Sequence, residues 1–167
     1  MKRICFLPVF GLALVMAGCS SAPVALAPVG PNPLGTSSAA ATGELQVFSS
    51  LVDRSEGDNP TWHQHSDYEV FDSKGHLVKR VDNSTGYYDQ SPRQVALPPG
   101  KYLVKAEAQD YLSVKVPVEI ENGRTTRVHL DDNWKPTTNL PKSEVVSAPD
   151  GQPVGWRAEP PKAFELK

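Results

Sequence analysis

Between Leu112 and Glu121 the chain alternates without a break. Leu112, Val114, Val116, Val118 and Ile120 fall on one face, and Ser113, Lys115, Pro117, Glu119 and Glu121 on the other. A period of two marks a half-buried strand and does not fit the 3.6-residue period of a helix. Pro117 has no amide hydrogen to give to a ladder, so this strand is expected at a sheet edge or bulged at that point. Asn122-Gly123 follows, a dipeptide that tolerates two successive positive φ angles. It predicts a hairpin to a strand from Arg124 to Leu130, with Thr126, Val128 and Leu130 continuing the buried face.

The same reasoning runs upstream. Pro98-Pro99-Gly100 is a rigid turn into a strand from Lys101 to Gln109, with Tyr102, Val104, Ala106 and Ala108 inward and Lys105, Glu107 and Gln109 outward. Earlier strands are expected at Leu45 to Val52, Asp67 to Asp72, His76 to Asp82 and Pro92 to Leu97, with Asp72-Ser73-Lys74-Gly75 as the hairpin between the second and third. No segment carries helical periodicity, so the predicted domain, residues 44 to 132, is all-β with seven strands.

Leu97-Pro98-Pro99-Gly100-Lys101-Tyr102-Leu103-Val104, then Asp110-Tyr111, then Val118-Glu119-Ile120-Glu121-Asn122-Gly123 before Thr125-Thr126, resembles the carboxypeptidase regulatory-like domains. These share a P-G-x-Y-x-V strand start, a G-Y or D-Y corner and a G-x-T-T hairpin. The resemblance implies a seven-stranded antiparallel β-sandwich of transthyretin-like or immunoglobulin-like form. The family is not itself catalytic, so the resemblance implies a folding or binding module; the shared residues encode turns rather than chemistry and by themselves specify little of function.

The termini read differently. Lys2 and Arg3 precede a mostly apolar run from Ile4 to Met16, which ends in Ala17-Gly18 before Cys19, the layout of an export signal. The run is 13 residues, short of the roughly 20 that span a bilayer. Met16-Ala17-Gly18-Cys19 resembles the lipobox of bacterial lipoprotein precursors. That resemblance implies cleavage between Gly18 and Cys19 and a diacylglyceryl group on Cys19. Ser20, where sorting to the inner membrane would use Asp, implies the outer membrane, facing the periplasm or the cell surface. From Ser20 to Gly43 the chain has no charge and no aromatic ring, and Ala, Ser, Thr, Gly and Pro fill 19 of the 24 positions. This composition predicts a flexible linker over 19–43. Residues 133–167 are Pro-rich, and Val145-Val146, Asp150-Gly151 and Val154 to Trp156 form either a small hairpin or part of an unstructured tail.

Charge and cysteine content narrow the chemistry. Without Lys2 and Arg3 the chain carries 15 basic against 19 acidic side chains, the opposite of a nucleic-acid footprint. Cys5 leaves with the signal and Cys19 is acylated, so no thiol remains for disulfides, thiolate catalysis or a Cys-based zinc site. No nucleophile elbow, phosphate loop or His-Glu-x-x-His motif is present, and no catalytic residue or cofactor is assigned.

Three clusters remain. His63, His65 and Asp67 would share a face if the strand starts early, as copper or zinc requires, but two His without a third fixed ligand assign no metal. Trp62, His63 and His65 with Tyr87 and Tyr88 form a candidate aromatic shelf for an envelope protein, a peptide or a glycan. Asp53, Glu56, Asp58, Asp131 and Asp132 resemble calcium ligands in residue type only. The expected protein is a lipid-anchored envelope module with a binding or structural role. The alternatives are a periplasmic metal-handling lipoprotein and an accessory subunit of an envelope enzyme or export complex.

Overall fold

The computed structural model describes residues 26–55, 57, 61–86, 90–109, 111–136 and 141–158. The signal segment, Gly18, Cys19, Tyr87 and Tyr88 lie outside the described residues. Among the described residues there is no α-helix, only a 3₁₀ turn at Lys142–Glu144, and no helix is long and apolar enough to cross a membrane.

Twelve strands follow in chain order: β1 (Val29–Gly30), β2 (Gly43–Phe48), β3 (Leu51–Arg54), β4 (Trp62–His65), β5 (Tyr68–Asp72), β6 (Leu77–Val81), β7 (Gln94–Leu97), β8 (Gly100–Ala108), β9 (Tyr111–Ile120), β10 (Thr125–His129), β11 (Val145–Ser147) and β12 (Pro153–Arg157). Seven of them form one sheet in the order β11-β12-β1-β9-β8-β5-β6, three form a second in the order β10-β2-β7, and β3 pairs with β4 alone. One hydrophobic core joins the two larger sheets. Val70, Val104, Val116 and Val118 enter it from one side and Leu45, Val47, Val95 and Val128 from the other.

The alternation read from β9 holds where it is described: Val116, Val118 and Ile120 are buried and Ser113 and Lys115 exposed. The strand is not at an edge, because β8 and β1 flank it. Pro117 is accommodated because its neighbour on one side is the two-residue β1, in register only at Val118. There is almost no ladder there for a proline to interrupt.

Three further expectations change. The sheets are mixed rather than antiparallel: β1 runs parallel to β9, and β10 parallel to β2. Asn122-Gly123 does turn the chain, with Gly123 at φ 67°, but β9 and β10 do not pair as a hairpin. The turn is a corner that moves the chain from one sheet to the other. The incoming arm takes the hydrogen bonds a hairpin would have used: Ser38 N–H donates to the Gly123 carbonyl at 2.8 Å, and Gly123 N–H to the Thr42 carbonyl at 2.9 Å. Any Cβ on Gly123 would fall 1.9 Å from the Ser38 carbonyl oxygen. Finally, Leu45 to Val52 is not one strand. It breaks at Ser49-Ser50, where Ser49 is fully buried and β3 leaves the sheet to meet β4.

The linker predicted over 19–43 is not free over its described part. Val29 is completely buried, and β1 fills the gap between β9 and the hairpin of β11 and β12, so that hairpin joins the large sheet through it. Arg124 fastens the arm, donating to the Asn32 carbonyl at 2.6 Å while pairing with Glu121 at 2.6 Å. Composition misleads here because one buried valine and a few backbone bonds suffice to hold a short segment in a groove that other strands have made. Val29→Ala should therefore lower unfolding free energy by about 2–3 kcal/mol in urea titrations. A free tether would leave it unchanged.

Candidate binding site

The outward positions of β2 and β10 are set by their parallel register, which places Glu44 beside Thr125, Gln46 beside Arg127 and Phe48 beside His129. Thr125 Oγ1 lies 3.4 Å from Glu44 Oε2, and Arg127 Nε donates to Gln46 Oε1 at 3.2 Å. The third rung is aromatic: the Phe48 and His129 rings stack with centroids 4.4 Å apart and planes 17° apart.

Just past β10 the chain folds back over this rung. Asp132 has φ 59°, the left-handed region that Asp tolerates better than most side chains. Asp131 is buried and accepts a bond from Asn133 Nδ2 at 3.3 Å. This reversal lays Trp134 on the second face of His129, with centroids 4.6 Å apart and planes 6° apart.

The column extends at both ends. Trp156 of β12 meets Trp134 edge to face at 5.3 Å, and His65 of β4 meets Phe48 the same way at 5.7 Å. Gly155 lets β12 come this close, since a Cβ there would lie 2.5 Å from Val29 Cγ1 and 2.9 Å from the Arg127 carbonyl oxygen. Stacked and edge-to-face geometries are both favourable for rings at these spacings.

Two cavities flank His129. One, of about 110 Å³, is bounded by the rings of His129, Trp134 and Trp156, the cations Arg127 and Lys135, and the polar groups of Asn32 and Thr125. The other, of about 320 Å³, lies among Leu26, Val114, Leu130, Ala148 and Val154, with Lys115, Asp132 and Asp150 also on its wall. Burial, then the Arg127 guanidinium, then His65, push the His129 pKa down to about 4. Its imidazole is neutral at pH 7, and the positive charge at the smaller cavity belongs to Arg127 and Lys135.

The residues expected from sequence are distributed differently. Trp62 is half-buried in β4 opposite Arg54. His63 is exposed, its Nδ1 2.8 Å from Asp53 Oδ1 on the facing strand. His65 is buried and its Nδ1 lies 2.6 Å from the Ser49 carbonyl oxygen, to which its N–H donates. The two imidazoles thus have separate partners. Among the described residues no group of three or more His, Cys, Asp or Glu converges as a metal site would require. Asp53 is engaged by His63 and Asp131 by Asn133, while Glu56 and Asp58 lie outside the described residues. From the expected shelf His65 joins the ring column, and any meeting with Tyr87 and Tyr88 lies outside the described residues.

Phe48, Arg127, His129, Trp134, Lys135 and Trp156 did not stand out in the sequence. A signal was present, since Arg127 and His129 occupy outward positions of a strand whose inward face was recognised. No known family, curated protein or solved structure matches the chain.

The depressed His129 pKa carries a sign. As pH falls from 6.5 toward about 4, the unfolded chain takes up a proton at this position before the folded one, so stability declines over that window. His129→Phe removes this contribution. The difference in urea midpoint between wild type and variant should shift in the variant's favour as pH drops from neutral to about 4. A difference independent of pH would show that His129 is not buried as described.

Proposed function

We propose that this protein is a lipid-anchored, non-catalytic binding module of the bacterial cell envelope, and that it captures an envelope polymer on the face built by Phe48, His129 and Trp134. The observation that carries the reading is the ring column opening on a cavity with two cations. With both faces of His129 covered, the column offers ring edges and the outer indole of Trp134, held rigid at little entropic cost, and charged groups at the rim give orientation.

The anchoring half rests on Met16-Ala17-Gly18-Cys19 and its likeness to a lipobox. Several acyl chains at one terminus hold a protein durably in a leaflet, where one chain would not. The finer fold reading is a carboxypeptidase regulatory-like sandwich with additions. The strands expected from sequence correspond to β2 and β5 to β10, and β1, the β3–β4 hairpin and the β11–β12 hairpin are extra. The two sheets over one core support it, as does the Pro99-Gly100 turn into β8, whereas the corner at Asn122-Gly123 departs from the hairpin of that pattern.

Two outcomes follow. Cys19→Ala should move the protein from the membrane to the soluble fraction, and mass spectrometry of the native N-terminus should find acylated Cys19. An unmodified terminus at another residue would refute the anchor. Trp134→Ala in the tethered, full-length protein should abolish retention of envelope polysaccharide or peptide, at a stability cost of only about 1–2 kcal/mol. Retention equal to wild type would refute the binding face.

A further inference from the structure

The smaller cavity has a more specific chemistry than its rings alone convey. Resting on the binding-face reading above, we propose that it receives the oxyanion of an acidic glycan, held by Arg127 and Lys135 while the sugar ring lies against the Trp134 edge of the column.

Charge is the first argument. Among the described residues Arg127 and Lys135 have no carboxylate at ion-pairing distance, although Arg80, Lys105 and Arg124 elsewhere on the sheets do. Both line one cavity. The acidic group nearest to this lining in hydrogen bonding is Glu44, which faces Thr125 Oγ1 at 3.4 Å rather than either cation. Arg127 is also aimed. Its Nε is committed to Gln46 Oε1 at 3.2 Å, which fixes the plane of the guanidinium and leaves its terminal NH₂ groups to meet a planar or tetrahedral oxyanion. The neutral imidazole of His129 adds a polar wall without a charge.

Size is the second argument. A cavity of about 110 Å³ falls below the roughly 300–1,000 Å³ that enclose a whole small molecule. It accommodates one anionic substituent, and the body of the ligand must remain outside. A pyranose has a C–H face to set against an indole, and an acidic pyranose carries its carboxylate or phosphate on a short arm.

Backbone access is the third argument, and it favours a glycan over a peptide that binds by strand addition. One common mode for an extended peptide is to add a strand to an open sheet edge. On its side away from β2, β10 is occupied: Pro31 bridges to Thr126, and Gly155 packs on the Arg127 carbonyl. Among the described residues, these contacts obstruct the outer edge of β10 at Thr126 and Arg127, beside this cavity. A saccharide needs no open edge.

The test is isothermal titration of the full mature chain with four probes: a uronic-acid oligosaccharide, its neutral methyl ester, a phosphorylated oligosaccharide and inorganic phosphate. Either or both acidic saccharides should bind and the neutral ester should not, and the arm that binds identifies the oxyanion as carboxylate or phosphate. Arg127→Gln and Lys135→Gln should each weaken binding about tenfold or more, Arg127→Lys should recover part of it, and added salt should weaken it. The His129 ring resonances should report the same event, its pKa rising from about 4 as the anion offsets Arg127. Equal binding of ester and acid, lost in Trp134→Ala, would overturn the charge assignment and leave the binding face standing. Inorganic phosphate binding as tightly as the saccharides would overturn the glycan. If no probe binds while the tethered protein still retains envelope polymer through Trp134, the proposal is overturned and the broader reading is not.

Discussion

The side chain of Asn83 is 1% exposed and touches three separate stretches of chain. Its amide donates to the Val47 carbonyl at 2.8 Å, to Ser49 Oγ at 3.0 Å and to the Ser66 carbonyl at 3.3 Å, and its Oδ1 accepts the Arg93 N–H at 3.0 Å. A buried amide left without these partners would cost the full desolvation of each group, so the segments that supply them are not free to separate. Asn83 therefore fixes the end of β2, the junction of β4 with β5 and the approach to β7. From this point the site follows. Ser49 donates its hydroxyl to Ser66 at 2.5 Å and offers its carbonyl to His65, which holds β4 against Phe48. Phe48 then presents the face on which His129 stacks, and Trp134 covers the other face of His129.

A second constraint acts from the opposite end of β10. The corner at Gly123 admits the Ser38 carbonyl only because it has no side chain, and the arm held there leads into β2. The parallel pairing of β10 with β2 depends on that entry, and so does the pairing of His129 with Phe48 rather than with Gln46. Shifting the register by one residue would send the rings into the core and valines to the surface. The ring column is thus a by-product of how the two sheets are joined.

Much of this architecture was legible. Strict alternation in β8, β9 and β10 identified their buried faces, and the turns at Asp72–Gly75 and Pro98–Gly100 marked the junction of β5 with β6 and the start of β8. What was not legible is pairing. Asn122-Gly123 encodes the local φ angles of a turn, but nothing in the dipeptide says whether the next strand lies beside the last one or across the core. Val29-Gly30 is too short for any period, and its burial depends on neighbours more than 80 residues away in β9 and β12. The ring column was hidden for the same reason. His65, Phe48, His129, Trp134 and Trp156 come from five different segments, and each looks like an isolated aromatic until register brings them together. The cluster contiguous in sequence, Trp62 to His65, is the conspicuous one, and among the described contacts His65 is its link to the column.

The proposed binding face requires His129 to lie between Phe48 and Trp134 as a fixed element of the folded protein. Proton NMR of the imidazole ring measures this directly, because both neighbours shift protons above their faces upfield. The His129 ring protons should resonate well upfield of an exposed histidine, show cross-relaxation to both Phe48 and Trp134, and move back toward the exposed position in Trp134→Ala. Ring protons at the ordinary histidine position, with no cross-relaxation to either ring, would contradict the column and with it the binding face.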